Sequence, residues 1–209
     1  AISLAGTIAL FSLLAQSRFG RKKTVVCYSC FSVVLLILAC VWYVADWESC
    51  TRMVAFVMYL CFALFAVLMS RDSLYLTVYK LALVFYLLAI FLVGALEISI
   101  LFFDRNVWAD IVARIGLIGL IAFLLNKYVR KTVKDFGDYV ESEADKFSVA
   151  VMIICILLGI GYILNPGLNK EMTFHRIYQI LMNFFLTGTL QLLIFHFYLH
   201  IGKEKEYER

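Results

Sequence analysis

One proline in 209 residues, three histidines and only 16% charged side chains leave this sequence short of the polar material that a water-soluble domain needs. An ordinary globular chain is about half apolar and about a quarter charged, because a polar skin must surround its core. Here 64% of the residues are apolar and the mean hydropathy is +0.91. The solvent on most sides is therefore expected to be lipid. Intrinsic disorder, a nucleic-acid-binding domain and a secreted disulfide scaffold are excluded by the same arithmetic. Low-complexity segments are missing, and so is any repeat of about 20 to 50 residues, which weighs against solenoids and inverted-repeat transporters. The apolar runs are continuous rather than alternating and exceed the roughly ten-residue strands of an outer-membrane barrel.

Six cysteines (27, 30, 40, 50, 61 and 155) all lie in or beside apolar stretches. Their spacing is not that of a disulfide framework, and they are expected to act as small packing residues. Cys27-Tyr-Ser-Cys30 has neither the second pair that zinc requires nor the context of a redox motif. No metal and no cofactor are expected in this segment.

A membrane-spanning helix needs about 20 mostly apolar residues. Polar punctuation predicts an all-α, polytopic membrane bundle of seven spans, roughly 1–17, 24–45, 53–70, 79–103, 107–126, 147–165 and 177–201. Basic residues near span ends tend to stay cytoplasmic, so the formal charge of +4 is first a map of sides. Arg18, Arg21, Lys22, Lys23, Arg71, Lys127, Arg130, Lys131, Lys134, Lys146, Lys203, Lys205 and Arg209 fall on one side; Arg52, Arg105, Lys170 and Arg176 fall on the other. That asymmetry predicts an amino terminus outside and a carboxy-terminal helix entering the cytoplasm.

Charges inside spans are costly, at least about 2.5 kcal/mol each near the bilayer centre, and so mark candidate sites. Glu97 lies near the outer end of the fourth span, Asp104 and Arg105 in the turn after it, and Asp110 and Arg114 on the fifth span. Asp110 and Arg114 share one helix face, and Arg114 needs an acidic partner, Asp110 or Glu97. With His175 and Arg176, and with Asp46, Trp47 and Glu48 of the first outer loop, these residues are candidates for an outward-facing ligand pocket. Interfacial anchoring is the competing interpretation.

Lys80 is expected to snorkel, its stem buried and its ammonium wet. Ala113, Gly116, Gly119 and Ala122 make a small-residue strip suited to close helix approach. His196 and His200, one turn apart, lack the glutamate of a zincin motif, since Phe197 follows the first histidine; they are expected to be interfacial. Between the fifth and sixth spans, Val129, Val133, Phe136 and Val140 recur at helical spacing. The fifth span is thus expected to continue as an amphipathic helix, with Gly137 permitting a bend, and to lie on headgroups or on a cytoplasmic domain.

The sequence starts inside an apolar run and ends in Gly202-Lys-Glu-Lys-Glu-Tyr-Glu-Arg209, a helix-forming charged tail, so a piece of a longer protein is expected. The expected division is a seven-span sensor domain, 1–201, followed by the start of a cytoplasmic signalling helix, 202–209.

Three stretches carry a family likeness: Arg18-Phe-Gly-Arg-Lys-Lys-Thr24, Asn126-Lys-Tyr-Val-Arg-Lys-Thr-Val-Lys-Asp-Phe-Gly-Asp-Tyr-Val140, and His196-Phe-Tyr-Leu-His-Ile-Gly-Lys-Glu-Lys-Glu-Tyr-Glu-Arg209. In this order and arrangement the chain resembles the membrane sensor region of Firmicute peptide-receptor histidine kinases of the GHKL class, the accessory-gene-regulator and competence-receptor type. The resemblance implies a multi-pass protein of the bacterial cytoplasmic membrane that works as a homodimer in a two-component, quorum-sensing system. It implies an extracellular peptide or small ligand, relay through the last span past His200 and Gly202, and a downstream kinase domain and response regulator. The kinase's phospho-accepting histidine would lie beyond Arg209, so no catalytic residue is assigned in this segment and no nucleic acid is expected as a partner.

Two other functions compete. A small membrane peptidase would pair Cys27 or Cys30 with His196 or His200, which demands hydrogen-bond reach. A small transporter would place its site near the midplane, commonly on broken helices, whereas the single proline, Pro166, falls in a predicted outer turn.

Overall fold

The apolar runs are bounded by Gly, Ser, Asp and Asn, and the helix ends obey that chemistry. The computed structural model describes residues 2–104, 106–143, 146–163 and 178–194. Its helices are α1 (Ile2–Leu14), α2 (Arg21–Ala45), α3 (Trp47–Met69), α4 (Leu74–Phe103), α5 (Val107–Leu124), α6 (Arg130–Glu143) and α7 (Lys146–Ile163), with α8 over Tyr178–Ile194. No strand occurs among the described residues; Ser17 and Ser70 form an isolated antiparallel bridge.

Asp46 alone separates α2 from α3. Its Oδ1 accepts a hydrogen bond from the Ser49 N–H at 3.1 Å, which satisfies a free donor of the first turn and starts α3 at Trp47 rather than at 53. Ser73 precedes α4, so the apolar stretch from Leu74 joins the helix and Lys80 lies in its second turn. Asp104 ends α4 in the left-handed region, φ 47°, which a short polar side chain tolerates. Asn106 then caps α5 by accepting the Trp108 N–H at 2.9 Å.

α4 is the hub. It lacks a polar face, and Leu76, Tyr79, Val84, Leu88 and Ala95 on several of its sides are enclosed, as expected for a helix hydrophobic all round. It packs on α7, α5, α1 and α3. α2 is the opposite case: Val26, Val33, Ile37, Val41 and Val44 all face outward, Val44 at 86% exposure. Aromatic rings hold it to α3, with Phe31 stacked on Phe65 at 4.0 Å and Tyr28 edge-on to Phe65 at 5.4 Å. Apolar side chains turned outward along a whole helix call for apolar surroundings.

Three helices are long and apolar enough to cross a membrane: Lys22–Ala45, Leu74–Phe103 and Val107–Asp138. Shorter apolar helices cover Ile2–Leu14, Val57–Met69, Val149–Leu158 and Tyr178–Ile194. The all-α apolar architecture is thus as expected, and three of the described helices reach full spanning length.

The fifth span does continue. A π-helical segment, Leu125–Val129, leads from α5 into α6, giving a rod about 55 Å long. A π turn holds an extra residue and so rotates the helix beyond it. Here Val133 and Phe136 are fully buried, and Val129 packs against the core. The amphipathic face therefore docks on the bundle itself, where Phe136 meets the Tyr79 ring at 5.9 Å. α6 runs on through Gly137 to Glu143. Gly137 serves close approach, since a Cβ at that position would sit 3.0 Å from Leu76 Cδ2.

Candidate functional site

The polar side chains inside this apolar bundle gather at two ends, and α4 passes through both. At one end, α4 carries Glu97, 2% exposed, and the neighbouring α5 carries Asp110 and Arg114. One helical turn brings the latter two together: Arg114 Nε donates to Asp110 Oδ2 at 2.8 Å, with the side chains 25% and 20% exposed. The partner that Arg114 required is Asp110. The other carboxylate oxygen, Asp110 Oδ1, is buried and has no hydrogen-bond partner. Tyr59 of α3 interacts with the Thr7 side chain of α1 and lies within electrostatic reach of Arg114. Ser99 of α4 donates to the Asn106 carbonyl at 3.1 Å, tying the α4–α5 turn closed.

Of the other residues expected at this end, Asp46 is used as the cap of α3, and Trp47 and Glu48 are exposed. Arg105, His175 and Arg176 lie outside the described residues. So do His196, His200 and Gly202, which leaves the proposed cysteine–histidine pairing and the relay beyond the last span outside the described residues as well. Cys27 and Cys30 are free thiols. The small-residue strip of α5 is not where helices come closest. Gly116 and Gly119 have nothing within 4 Å of a Cβ, whereas Gly6 of α1 would place a Cβ 2.9 Å from Ile118 Cδ1 and 3.4 Å from Leu88 Cδ2.

The basic end holds a second cluster that the sequence disguised. Lys80 does not snorkel. Its Nζ meets Asp72 Oδ2 at 2.7 Å, and the lysine and aspartate side chains are only 2% and 4% exposed. A buried ammonium is tolerable only when paired and hydrogen-bonded, and Asp72 provides the pairing. The same Oδ2 accepts from the Gln16 N–H at 3.2 Å and from Ser70 Oγ at 3.3 Å. Around it, Arg18 N–H donates to the Met69 carbonyl at 3.0 Å and Arg71 N–H to the Gln16 carbonyl at 2.7 Å. The turn after α1 and the turn after α3 are thereby stitched together, with Ser17 and Ser70 at the centre.

Hydrogen bonds from α4 also hold the last described helix. Tyr79 OH donates to Gln191 Oε1 at 3.1 Å, and Tyr86 OH donates to Asn183 Oδ1 at 2.9 Å. The tyrosines are seven residues apart and so share a face of α4; a weighing of charges alone overlooks them, although Asn183 and Gln191 are conspicuous polar residues in an apolar run. Gln191 Nε2 is buried without a partner.

Among the described residues no three His, Cys, Asp or Glu side chains are placed to hold a metal. What the two ends can do is recognise and couple: one has a half-open pair with an unfilled acceptor, the other a closed staple, and α4 joins them. No protein-family model, curated protein or solved structure matches this chain.

Proposed function

We propose that this chain is the membrane signal-receiving domain of a GHKL-class sensor histidine kinase, with seven spans, the amino terminus outside and the last helix entering the cytoplasm. An extracellular peptide or small ligand binds at Glu97, Asp110 and Arg114, together with Arg105, His175 and Arg176. The bound state biases α4, and α4 moves the last helix, which passes His200 and Gly202 toward a downstream kinase domain in a homodimer. The kinase then serves a response regulator.

The observation that carries this reading is the double engagement of α4: Glu97 stands at one end of it, and Tyr79 and Tyr86 grip Gln191 and Asn183 of α8 toward the other. A ligand shifts a two-state bundle only by its differential affinity for the two states, and a tenfold preference is about 1.4 kcal/mol. Two hydrogen bonds of modest strength, one buried and one partly buried, are a scale of coupling that such a preference can move.

The test uses the full-length protein in proteoliposomes, with ATP-dependent autophosphorylation as readout. Each residue inserted in a helix rotates everything downstream by about 100°. One- and two-residue insertions at Gly202 are expected to lock or invert kinase output. An unchanged ligand response in both insertions, or the absence of any phosphorylation, defeats the reading.

A further inference from the structure

We propose that the groove at the start of α2 binds one anionic phospholipid, its headgroup held by Lys22 and Lys23 and one acyl chain laid along the outward face of α2. The groove, about 380 Å³, is lined by Phe19, Lys22, Lys23, Val26 and Cys27. Its chemistry is split between two basic groups and an apolar bed. On a helix, residues four apart lie one above the other, so Lys22 sits over Val26 and Lys23 over Cys27. The apolar bed continues away from the lysines as an exposed stripe, Val26, Cys30, Val33, Ile37 and Val41.

Charge decides the occupant. No acidic residue precedes Asp46 in the sequence, so nothing on α1 or α2 offsets the lysines. Asp72, the acid of the neighbouring turn, is already taken by Lys80. Arg18, itself exposed, is tied to the neighbouring turn, its Nε donating to the Ser70 carbonyl at 2.6 Å. Lys22 and Lys23 are exposed and form no ion pair within the described residues. An anion from outside satisfies them, and an anion carrying a hydrocarbon tail also covers Phe19 and Val26, which stand 49% and 60% exposed. A phospholipid supplies both parts; free phosphate supplies one.

This inference is independent of whether the chain receives a signal. The experiment is native mass spectrometry of the purified full chain in detergent, titrated separately with phosphatidylglycerol and phosphatidylcholine. Each Lys near an anionic headgroup contributes on the order of 1 kcal/mol, so with two lysines the first phosphatidylglycerol is expected to bind about thirtyfold more tightly than phosphatidylcholine. Lys22→Gln with Lys23→Gln is expected to erase that preference, and Lys22→Arg with Lys23→Arg to keep it. Lys131→Gln with Lys134→Gln removes the same charge from α6 and is expected to leave it intact. Equal affinity for the two lipids overturns the proposal. So does retention of the preference without Lys22 and Lys23, or its equal loss in the α6 variant. Displacement of the lipid by millimolar inorganic phosphate overturns it too, because the groove would then be a site for the anion alone.

Discussion

Two ion pairs among the described residues have almost the same length and opposite characters. Lys80–Asp72 at 2.7 Å bridges from α4 back to the turn before it, is sealed from solvent, and has Gln16 and Ser70 as further donors to the same oxygen. Arg114–Asp110 at 2.8 Å spans one turn of a single helix, is about a quarter open, and leaves a buried oxygen unfilled. Distance therefore assigns neither role. A dry pair whose removal strands a charge is a staple, and a partly wet pair with spare hydrogen-bonding capacity is a place where something can bind.

The strongest way to break that comparison is to remove one half of the sealed pair. Lys80→Met leaves Asp72 buried and uncompensated, for which a loss of about 3–5 kcal/mol is expected. Thermal unfolding in detergent reads it, and Asp72→Asn added to Lys80→Met is expected to recover much of the loss because the stranded charge is gone. Unfolding of the single variant like the parent would remove the staple from the account.

Gly137→Leu comes next. Its side chain would be driven into Leu76, and overpacking of this kind costs about 1–3 kcal/mol. Gly137→Ala is expected to cost much less, since the atom it meets is the far end of a flexible leucine. If α6 is released while the rest of the bundle holds, hydrogen exchange rises across Arg130–Glu143 in the Leu variant and stays low in the Ala variant.

Tyr79→Phe sharpens the comparison at the staple's end of α4. It removes the hydrogen bond to Gln191 and leaves that amide with neither its donor nor its acceptor side used. Side-chain hydrogen bonds between membrane helices are worth about 0.6 kcal/mol on average and up to about 1.7, so a loss near the upper figure is expected for this buried site. The Phe136 contact survives the substitution, which confines the effect to α8. A Tyr79→Phe protein with unaltered unfolding would show that Tyr79 does not anchor the last helix.

Much of this was legible in the sequence. Continuous apolar runs gave the helices and their order, and helical spacing at Val129, Val133 and Phe136 gave the buried face of α6. The i,i+4 rule placed Asp110 and Arg114 on one face and left Asp110 and Glu97 as the two candidate partners of Arg114, between which packing decided. What escaped were features that depend on elements far apart in the chain. Lys80 looks like a snorkelling lysine when α4 is begun at 79; only a start at Leu74, with Asp72 folded back and Gln16 arriving from another turn, makes it a buried partner. The face onto which α6 docks, the close approach at Gly6 and the bonds from Tyr79 and Tyr86 to α8 likewise need the packing of helices. Periodicity within one helix carries no record of what lies opposite.

The smallest effect on stability is expected where the proposed function predicts its largest effect. Arg114→Gln breaks an i,i+4 pair that is partly exposed, and such pairs contribute about 0.3–0.5 kcal/mol in helices and at most about 1 at open surfaces. Asp110, released, already has access to water through its exposed fifth, so no charge is stranded in the way that Lys80→Met strands Asp72. The unfolding temperature should thus move little, while under the proposed function the change in kinase output on adding ligand should disappear, because the guanidinium that fixes the orientation of the Asp110 acceptor is gone. The two readouts need to diverge for the contrast to stand. If Arg114→Gln instead destabilises the protein as Lys80→Met does, the open pair is a second staple, and recognition has to be sought among the polar groups nearer Glu97.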